Sequence, residues 1–429
     1  MIGFKKYTIL KNSGILWVGD IPDHWEVKKF KHFYASSMGN TILKEDLSDE
    51  ATIPVYSATE YVEILGYIDN PNVLLHREDF IIPARGNSIG HVKLVEDKCT
   101  CTQTTIYARR RYPGRINSSF VYWYQIGLRK KLYEYNNTAI PQLTVRQVKD
   151  NPILVPSMDE QRMISTFLDQ ETARIDALIQ KKERMIELLK EKRIALITQA
   201  VTKGLDPNVP MKESGIEWLG EVPEHWEVKK LKYLGKSLIG LTYSPEEIVF
   251  EDGTLVLRAS NIQNSTLSLG RDDDVSVVTK IPNELMVVED DILICSRNGS
   301  KALIGKAAII GSDVNATFGA FMTVFRSRFN RFIIWVLHSS MFSSLCSGYV
   351  TSTINQLTQD DLNNIAIPLP PDNELKEITK HLEKESYFID KLIIKADRSI
   401  SLLREYRASL IYHAVTGKID LRDYDAQVQ

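Results

Sequence analysis

The chain carries the same text twice, and this repeat limits its architecture more than any other feature. Gly14 to Lys31 reads GILWVGDIPDHWEVKKFK and Gly215 to Lys232 reads GIEWLGEVPEHWEVKKLK, with Trp25 and Trp226 standing 201 residues apart. A second echo aligns Ala139–Asp206 with Thr353–Asp420 without a gap, and there Gln142 and Gln356 stand 214 residues apart. Between the echoes the halves differ almost everywhere, and the second insert is longer by 214 − 201 = 13 residues. One unit is used twice, as a shared frame around unlike inserts. A chain of 429 residues can bury two or more cores. A frame holding two unlike inserts suits recognition of a two-part target.

The second echo contains the clearest secondary structure. Ser157 and Glu160 have the spacing of a capping box, Pro156 precedes them, and Gly204 supplies a C-terminal stop. Between them Ile164, Leu168, Ile175, Leu178, Ile179, Ile186, Leu189, Leu196, Ile197 and Ala200 recur at helical spacing. The second copy keeps the stripe at Ile378, Leu382, Ile389, Leu392, Ile393, Ile400, Leu403, Leu410, Ile411 and Ala414, while most charges between them change. That pattern predicts a buried seam with a solvated outer face. A helix of ~44 residues is ~66 Å long and needs a partner for its stripe. The other copy is the nearest one, which predicts an antiparallel coiled coil about a pseudo-twofold axis. The alternative is that each helix packs separately on its own lobe. The expected boundaries are lobe one at 1–156, helix one at 157–203, a linker at 204–214, lobe two at 215–370, helix two at 371–417 and a tail at 418–429.

The lobes read as mixed α/β. IPVYSA, DFIIPA and TTIYARR in lobe one predict strands, as do TLVLRAS, DILICSR and FMTVFRS in lobe two. Turn signals separate them at Arg85-Gly86-Asn87, Pro113-Gly114, Asp252-Gly253 and Asn298-Gly299. Phe120–Tyr133 and Arg331–Ser347 read as one helix late in each lobe. The expected fold class is α+β: two mixed α/β domains in pseudo-twofold arrangement, joined by two long antiparallel coiled-coil helices.

Catalytic motifs are missing. There is no glycine-rich cofactor loop, no Asn-Pro-Pro-aromatic motif, and Gly299 to Gly305-Lys306-Ala307 misses a nucleotide-binding P-loop by one residue and its hydroxyl. Asp23, Glu26 and Lys28 superficially resemble a nuclease carboxylate–lysine set, but they lie inside the repeated frame, where Glu224 replaces Asp23. Trp17, Trp25, Trp218 and Trp226, with His24 and His225 beside two of them, read as anchors of each lobe to the helix ends. Cys99 and Cys101 lack further ligands for a metal, and four cysteines make no disulfide framework. No apolar run approaches the ~18 residues of a membrane span. The N-terminus lacks the apolar stretch of a secretory signal, so the cytoplasm is the expected location.

The net charge of −2 hides an asymmetry. Residues 1–150 carry 20 Lys+Arg against 16 Asp+Glu, whereas residues 207–368 carry 14 against 19. A nucleic-acid contact in the second lobe therefore has to come from a local cluster. Lobe one offers Arg109, Arg110, Arg111 and Arg115 around a Pro-Gly turn, with Arg129, Lys130 and Lys131 beyond. Guanidinium groups suit phosphate and the guanine edge. Arg85 and Asn87 in one lobe, and Arg297, Asn298 and Lys301 in the other, sit on glycine turns in similar places. Arg258, Ser260, Asn261 and Gln263 form a polar cluster able to read base edges.

The duplicated G-I-x-W-x-G-x-x-P-x-H-W-E-V-K-K, the Gln-Leu-Thr at Gln142–Thr144 and Gln356–Thr358, and the proline-led entry into each long helix together resemble the specificity subunit of Type I restriction–modification systems. The resemblance covers nearly the whole chain. It implies two target-recognition domains that each read half of a split, asymmetric sequence in double-stranded DNA. It also implies a helix pair that sets their spacing and docks two modification (methyltransferase) subunits, with restriction (motor–nuclease) subunits joining for cleavage. The chain itself is then a prokaryotic, non-catalytic subunit without cofactor or metal, and S-adenosylmethionine, ATP and magnesium belong to its partners. Asp272-Asp273-Asp274 and Glu289-Asp290-Asp291 would have to face away from the duplex. Two other readings are a coiled-coil scaffold whose lobes no longer read DNA, favoured by the acidic second lobe, and a metal-dependent nuclease at Asp23, Glu26 and Lys28.

Overall fold

The computed structural model describes residues 4–59, 63–133, 141–249, 252–349 and 355–424. It divides into two compact units, Met1–Lys182 with Arg398–Gln429, and Glu183–Asp397. Each unit thus takes one lobe and part of both long helices.

The helices run over Met158–Lys203 and Asp372–Val415. The first starts at the expected capping box: the Ser157 hydroxyl donates to Glu160 at 2.9 Å, and the Glu160 backbone N–H donates to Ser157 Oγ at 3.3 Å. It stops at Gly204, whose φ of +77° ends the helix in the left-handed region that glycine adopts without strain.

In the first unit Arg407 pairs with Asp176 at 2.9 Å, and Tyr424 meets Phe167 edge to face at 4.7 Å. In the second, Arg193 pairs with Asp390 at 2.8 Å, while Gly204 lies against Glu374. Later positions on the first helix meet earlier ones on the second, so the segments are antiparallel within each unit. Both ion pairs join residue numbers that add to 583, the same register in each. Lobe packing coexists with pairing: Trp123 donates to Asp169 at 2.8 Å, and Gly127 lies on Ile411 and Val415.

Of the stripe, Ile164, Leu168, Ile175, Ile179, Ile186, Ile197, Ala200, Ile378, Leu382, Ile389, Ile400, Leu410, Ile411 and Ala414 are buried. Leu189, Leu196, Leu392, Ile393 and Leu403 are half-buried. Leu178 departs from the expected seam and is 39 % exposed. At 3.6 residues per turn it lies about 60° around the helix from Ile175, on the edge of the stripe rather than its centre.

Each lobe is built on a four-stranded antiparallel sheet. In lobe one the order is Tyr34–Met38, Thr105–Arg110, Phe80–Pro83, Lys93–Leu94. In lobe two it is Lys236–Ile239, Met322–Arg326, Ile292–Cys295, Ala307–Ile309. Phe80–Pro83 and Ile292–Cys295 are buried throughout, as expected of apolar runs in the sheet interior. A second sheet holds Ile53–Tyr56 in lobe one and Thr254–Leu257 in lobe two. All six strands expected from the sequence are present. The repeated Glu-Val-Lys-Lys forms a strand in each lobe and pairs with the strand that feeds each long helix, Pro152–Val155 or Ala366–Leu369.

Two expectations need correction. The helix expected late in each lobe is broken in two, as Ser118–Gly127 with Arg129–Leu132, and Asn330–Leu337 with Ser340–Tyr349. The first breaks after Gly127, a poor helix former placed there because a Cβ would stand 2.8 Å from Ile411. The second breaks where the buried Ser339 accepts from the Phe342 N–H at 3.4 Å and starts a new helix. The segment 204–214 is also more than a linker. Its Met211–Glu213 pairs with Glu221–Pro223, as Leu10–Asn12 pairs with Asp20–Pro22. In the tail, Asp420 bridges Lys5 and Leu421 is buried, while residues 425–429 lie outside the described residues.

Candidate nucleic-acid interface

Each lobe is fastened to the helices by the repeated His-Trp pair. Trp25 and Trp226 are fully buried. Trp25 Nε1 donates to Glu160 at 3.4 Å and His24 Nε2 lies 2.9 Å from both Glu160 oxygens. Trp226 Nε1 donates to Glu374 at 3.0 Å, with His225 Nε2 at 2.7 Å. Gly417 lies against Trp25 and Gly204 against Trp226. Each tryptophan therefore touches the start of one long helix and the end of the other. Trp17 is half-buried and its carbonyl accepts from the Tyr412 hydroxyl near the end of the second long helix at 3.3 Å, whereas Trp218 is 37 % exposed.

Burial alone would raise the Glu160 carboxyl, but hydrogen bonds from His24, Ser157 and Tyr7 hold it below the ordinary glutamate value. A depressed pKa contributes stability above the unfolded value near 4.5, and that contribution is lost as pH falls through the folded value. Glu160→Gln is expected to cost about 1–3 kcal/mol at pH 7. In urea titrations the gap to the parent should close on acidification, because the parent is then protonated too. A gap independent of pH would contradict this.

The arginine loop of each lobe is held in place by the Gln-Leu-Thr motif. Gln142 bridges Arg85 and Gln356 bridges Arg297, both antiparallel. The buried Leu143 donates its N–H to Ala84 at 2.8 Å, and Leu357 does the same to Ser296 at 2.8 Å. Thr144 and Thr358 then cap the next short helix. The motif thus pins the arginine loop on one side. On the other lies a two-residue turn, Gln103-Thr104 in lobe one and Ala320-Phe321 in lobe two. Ala84 donates to Thr104 O at 3.0 Å, and Arg297 to Phe321 O at 3.0 Å. Behind each turn, Gly39 and Gly240 approach so closely that a Cβ would overlap the carbonyl oxygens of Thr102 or Gly319. Arg129 braces the lobe-one loop from below, donating to Ile89 O at 2.8 Å and Asn87 O at 3.3 Å.

The structure separates the candidates of lobe one. Arg85 and Asn87 are exposed at one end of the central sheet, where Thr105 pairs with Pro83. Arg109, Arg110 and Arg111 lie at the other end, roughly 16 Å away at ~3.3 Å per residue. There Arg110 pairs with Tyr34, and Arg111 donates its N–H to Phe33 O at 2.8 Å. Arg110 is half-buried in an ion pair with Glu78, its N–H on Asp79 at 2.9 Å, and these contacts hold it at the end of its strand. Arg109 is exposed but donates to Leu74 O at 2.8 Å. Arg111, Arg115 and Lys130 are exposed, with Arg115 over the Tyr112 ring at 5.0 Å.

In lobe two Arg258, Ser260, Arg297 and Asn298 come together around a cleft of about 520 Å³ that Tyr243 and Phe321 also line. Arg297 lies over the Phe321 ring at 5.3 Å, and Lys301 is exposed nearby in sequence. Asn261 is not a reader. It is fully buried, accepts from the Arg258 N–H at 2.9 Å, and donates to Ser268 O at 3.1 Å and Asp274 at 2.6 Å. Tyr243, Phe321 and Gln103 escaped the sequence reading. A search confined to cations and amides on glycine turns passes over an exposed aromatic and a lone glutamine, and only the register brings them to the arginines.

The acidic clusters of lobe two are largely spent internally. The buried Asp291 holds Arg326 at 2.7 Å, Arg331 pairs with Asp290 at 2.9 Å, and Arg271 pairs with Asp273 at 2.8 Å. Glu26 pairs with Lys28 at 2.9 Å on an exposed strand, which accounts for the nuclease-like residues as a surface ion pair. Among the described residues no group of three or more His, Cys, Asp or Glu could hold a metal, and no helix is long and apolar enough to cross a membrane.

The family model described as the Type I restriction modification DNA specificity domain matches residues 22–188 and again 223–400. The Type I restriction enzyme MjaVIII specificity subunit of Methanocaldococcus jannaschii is 24 % identical over 427 residues, covering 94 % of this chain and 95 % of that protein. The EcoKI specificity subunit of Escherichia coli is 29 % identical over 215 residues, 47 % of this chain and 44 % of that one. The HsdS subunit from Thermoanaerobacter tengcongensis has a TM-score of 0.53 at 14 % identity, covering 93 % of this chain and 98 % of that one. A chain solved in work on the assembly and conformational transition of the type I R-M system reaches 0.72 at 14 % identity over 93 % and 99 %. At these identities the solved structures speak for the fold. Two matches to one family model across most of its length place the chain in the Type I restriction–modification DNA specificity family.

Proposed function

We propose that this chain is the non-catalytic recognition subunit of a Type I restriction–modification complex, each lobe reading one half of a bipartite, asymmetric DNA target. One observation carries the reading: both lobes build the same frame of arginine loop, Gln-Leu-Thr strap and two-residue turn, yet present different side chains on it. A shared frame makes the two lobes approach DNA alike. Unlike side chains make them prefer unlike half-sites.

Arg85, Asn87, Arg109, Arg111, Arg115 and Lys130 in lobe one, and Arg258, Arg297, Asn298 and Lys301 in lobe two, are the proposed contacts. The paired helices set the gap between the half-sites. Their outer faces dock two modification subunits, and restriction subunits join for cleavage. Those partners bring S-adenosylmethionine, ATP and magnesium, and the complex works in the cytoplasm, where the chromosome lies.

Selection from a random duplex pool by the complex of this chain with its modification subunits tests the reading. A split sequence should emerge, and affinity for it should fall about 10³- to 10⁵-fold from 50 to 200 mM salt if six to ten phosphates are contacted. A stable complex that enriches no sequence would favour the scaffold instead. The ion pairing of the acidic clusters weakens the charge argument for that scaffold.

A further inference from the structure

Within the shared frame, the two-residue turn beside the arginine loop differs in chemistry between the lobes, Gln103-Thr104 in one and Ala320-Phe321 in the other. Its position is the same in both. It follows a parallel bridge, Asn40 with Thr102 or Leu241 with Gly319, and precedes the central strand, Thr105–Arg110 or Met322–Arg326. In lobe one the second residue, Thr104, is turned inward. Its hydroxyl lies 3.2 Å from Ser57 Oγ and 2.8 Å from Thr102 Oγ1, and accepts from the Ala58 N–H at 3.2 Å. The first residue, Gln103, is exposed, and its amide makes no hydrogen bond among the described residues. In lobe two the roles reverse. Ala320 has nothing to offer, and Phe321 stands 60 % exposed with the Arg297 guanidinium against its ring. Among the described residues the exposed amide has no hydrogen-bond partner, and the exposed ring has the Arg297 guanidinium against it.

We infer that Gln103 and Phe321 are the base-discriminating residues of the two lobes, Gln103 reading an adenine and Phe321 a thymine methyl. A glutamine amide offers a donor and an acceptor that match adenine N7 and N6, and no other base edge pairs with both as well. An exposed ring next to an arginine suits an apolar contact with a thymine methyl in the major groove, while Arg297 takes the neighbouring phosphate or guanine. The flanking arginines position both turns, and the turns supply the difference between half-sites. The inference rests on the proposed reading of DNA by both lobes.

The test uses the purified complex of this chain with its modification subunits and measures methylation rates on duplexes carrying its site, each position substituted in turn. If the parent complex methylates no split site, the underlying reading fails. If it does, Gln103→Ala should lose discrimination at one A·T pair of one half-site by about 10- to 100-fold and leave the other half-site unchanged. Gln103→Glu, of equal size, should move that preference toward cytosine. Thymine replaced by uracil should slow the parent about four-fold at one position of the other half-site, the value of one buried methyl, and should not slow Phe321→Ala further. Unchanged preferences in Gln103→Ala and Phe321→Ala, loss spread evenly over all positions, or both losses in one half-site would overturn the assignment while leaving the bipartite reading intact.

Discussion

Replacing Trp226 with alanine is expected to cost about 3–5 kcal/mol, the range for emptying a fully buried tryptophan site. Trp226 has no exposed surface, packs on Gly204 and donates to Glu374. The substitution removes apolar contacts and leaves the half-buried Glu374 carboxylate with one hydrogen-bond partner fewer. Domain stabilities are commonly about 5–15 kcal/mol, so such a loss takes a large share. The contrast is with Trp218, four residues past Ser214 in the same repeated motif but 37 % exposed, where alanine should cost about 1 kcal/mol or less. Urea denaturation of both variants checks this, and equal costs would refute the anchor role given to the second tryptophan of the repeat.

Lengthening the helix pair should change the target without changing what is read. Seven residues inserted after Lys182 and seven after Ile400 keep the antiparallel register, because Lys182 and Ser401 stand opposite by the sum of 583 that both ion pairs obey. Seven residues are close to two helical turns, so the apolar stripe stays on one face. They add about 10.5 Å, roughly three base pairs at ~3.4 Å each. Methylation mapping should return the same two half-sites with a longer gap. Altered half-sites at the old gap would rule out the helices as a ruler. A single insertion in one helix should instead disturb the seam and the complex.

The long helices were legible in the sequence because their signals are local and redundant: a capping box at Ser157, a stripe repeated at 214-residue offset, and a glycine at each end. The central strands were legible for a similar reason, as short apolar runs between turn signals. Leu178 was not, because a stripe edge and a stripe centre share the same residue types and differ only by angle. The breaks after Gly127 and at Ser339 depend on what the helix passes, which spacing does not record. The site was half legible. Arg85 and Arg297 stood out by their glycine turns, but their tie to Gln142 and Gln356 is a long-range pairing. Arg110 and Asn261 have the residue types of readers and are consumed by Glu78, Asp79, Ser268 and Asp274. Gln103 and Phe321 become visible only when the two lobes are laid on one register.

The most direct measurement is to co-express this chain with its modification subunit in a host free of other adenine methylation and map methylated adenines by single-molecule sequencing. One split motif with two different half-sites and a fixed gap is the predicted result. A palindromic motif, a continuous one, or no motif from a complex that still assembles would contradict two unlike readers in one frame.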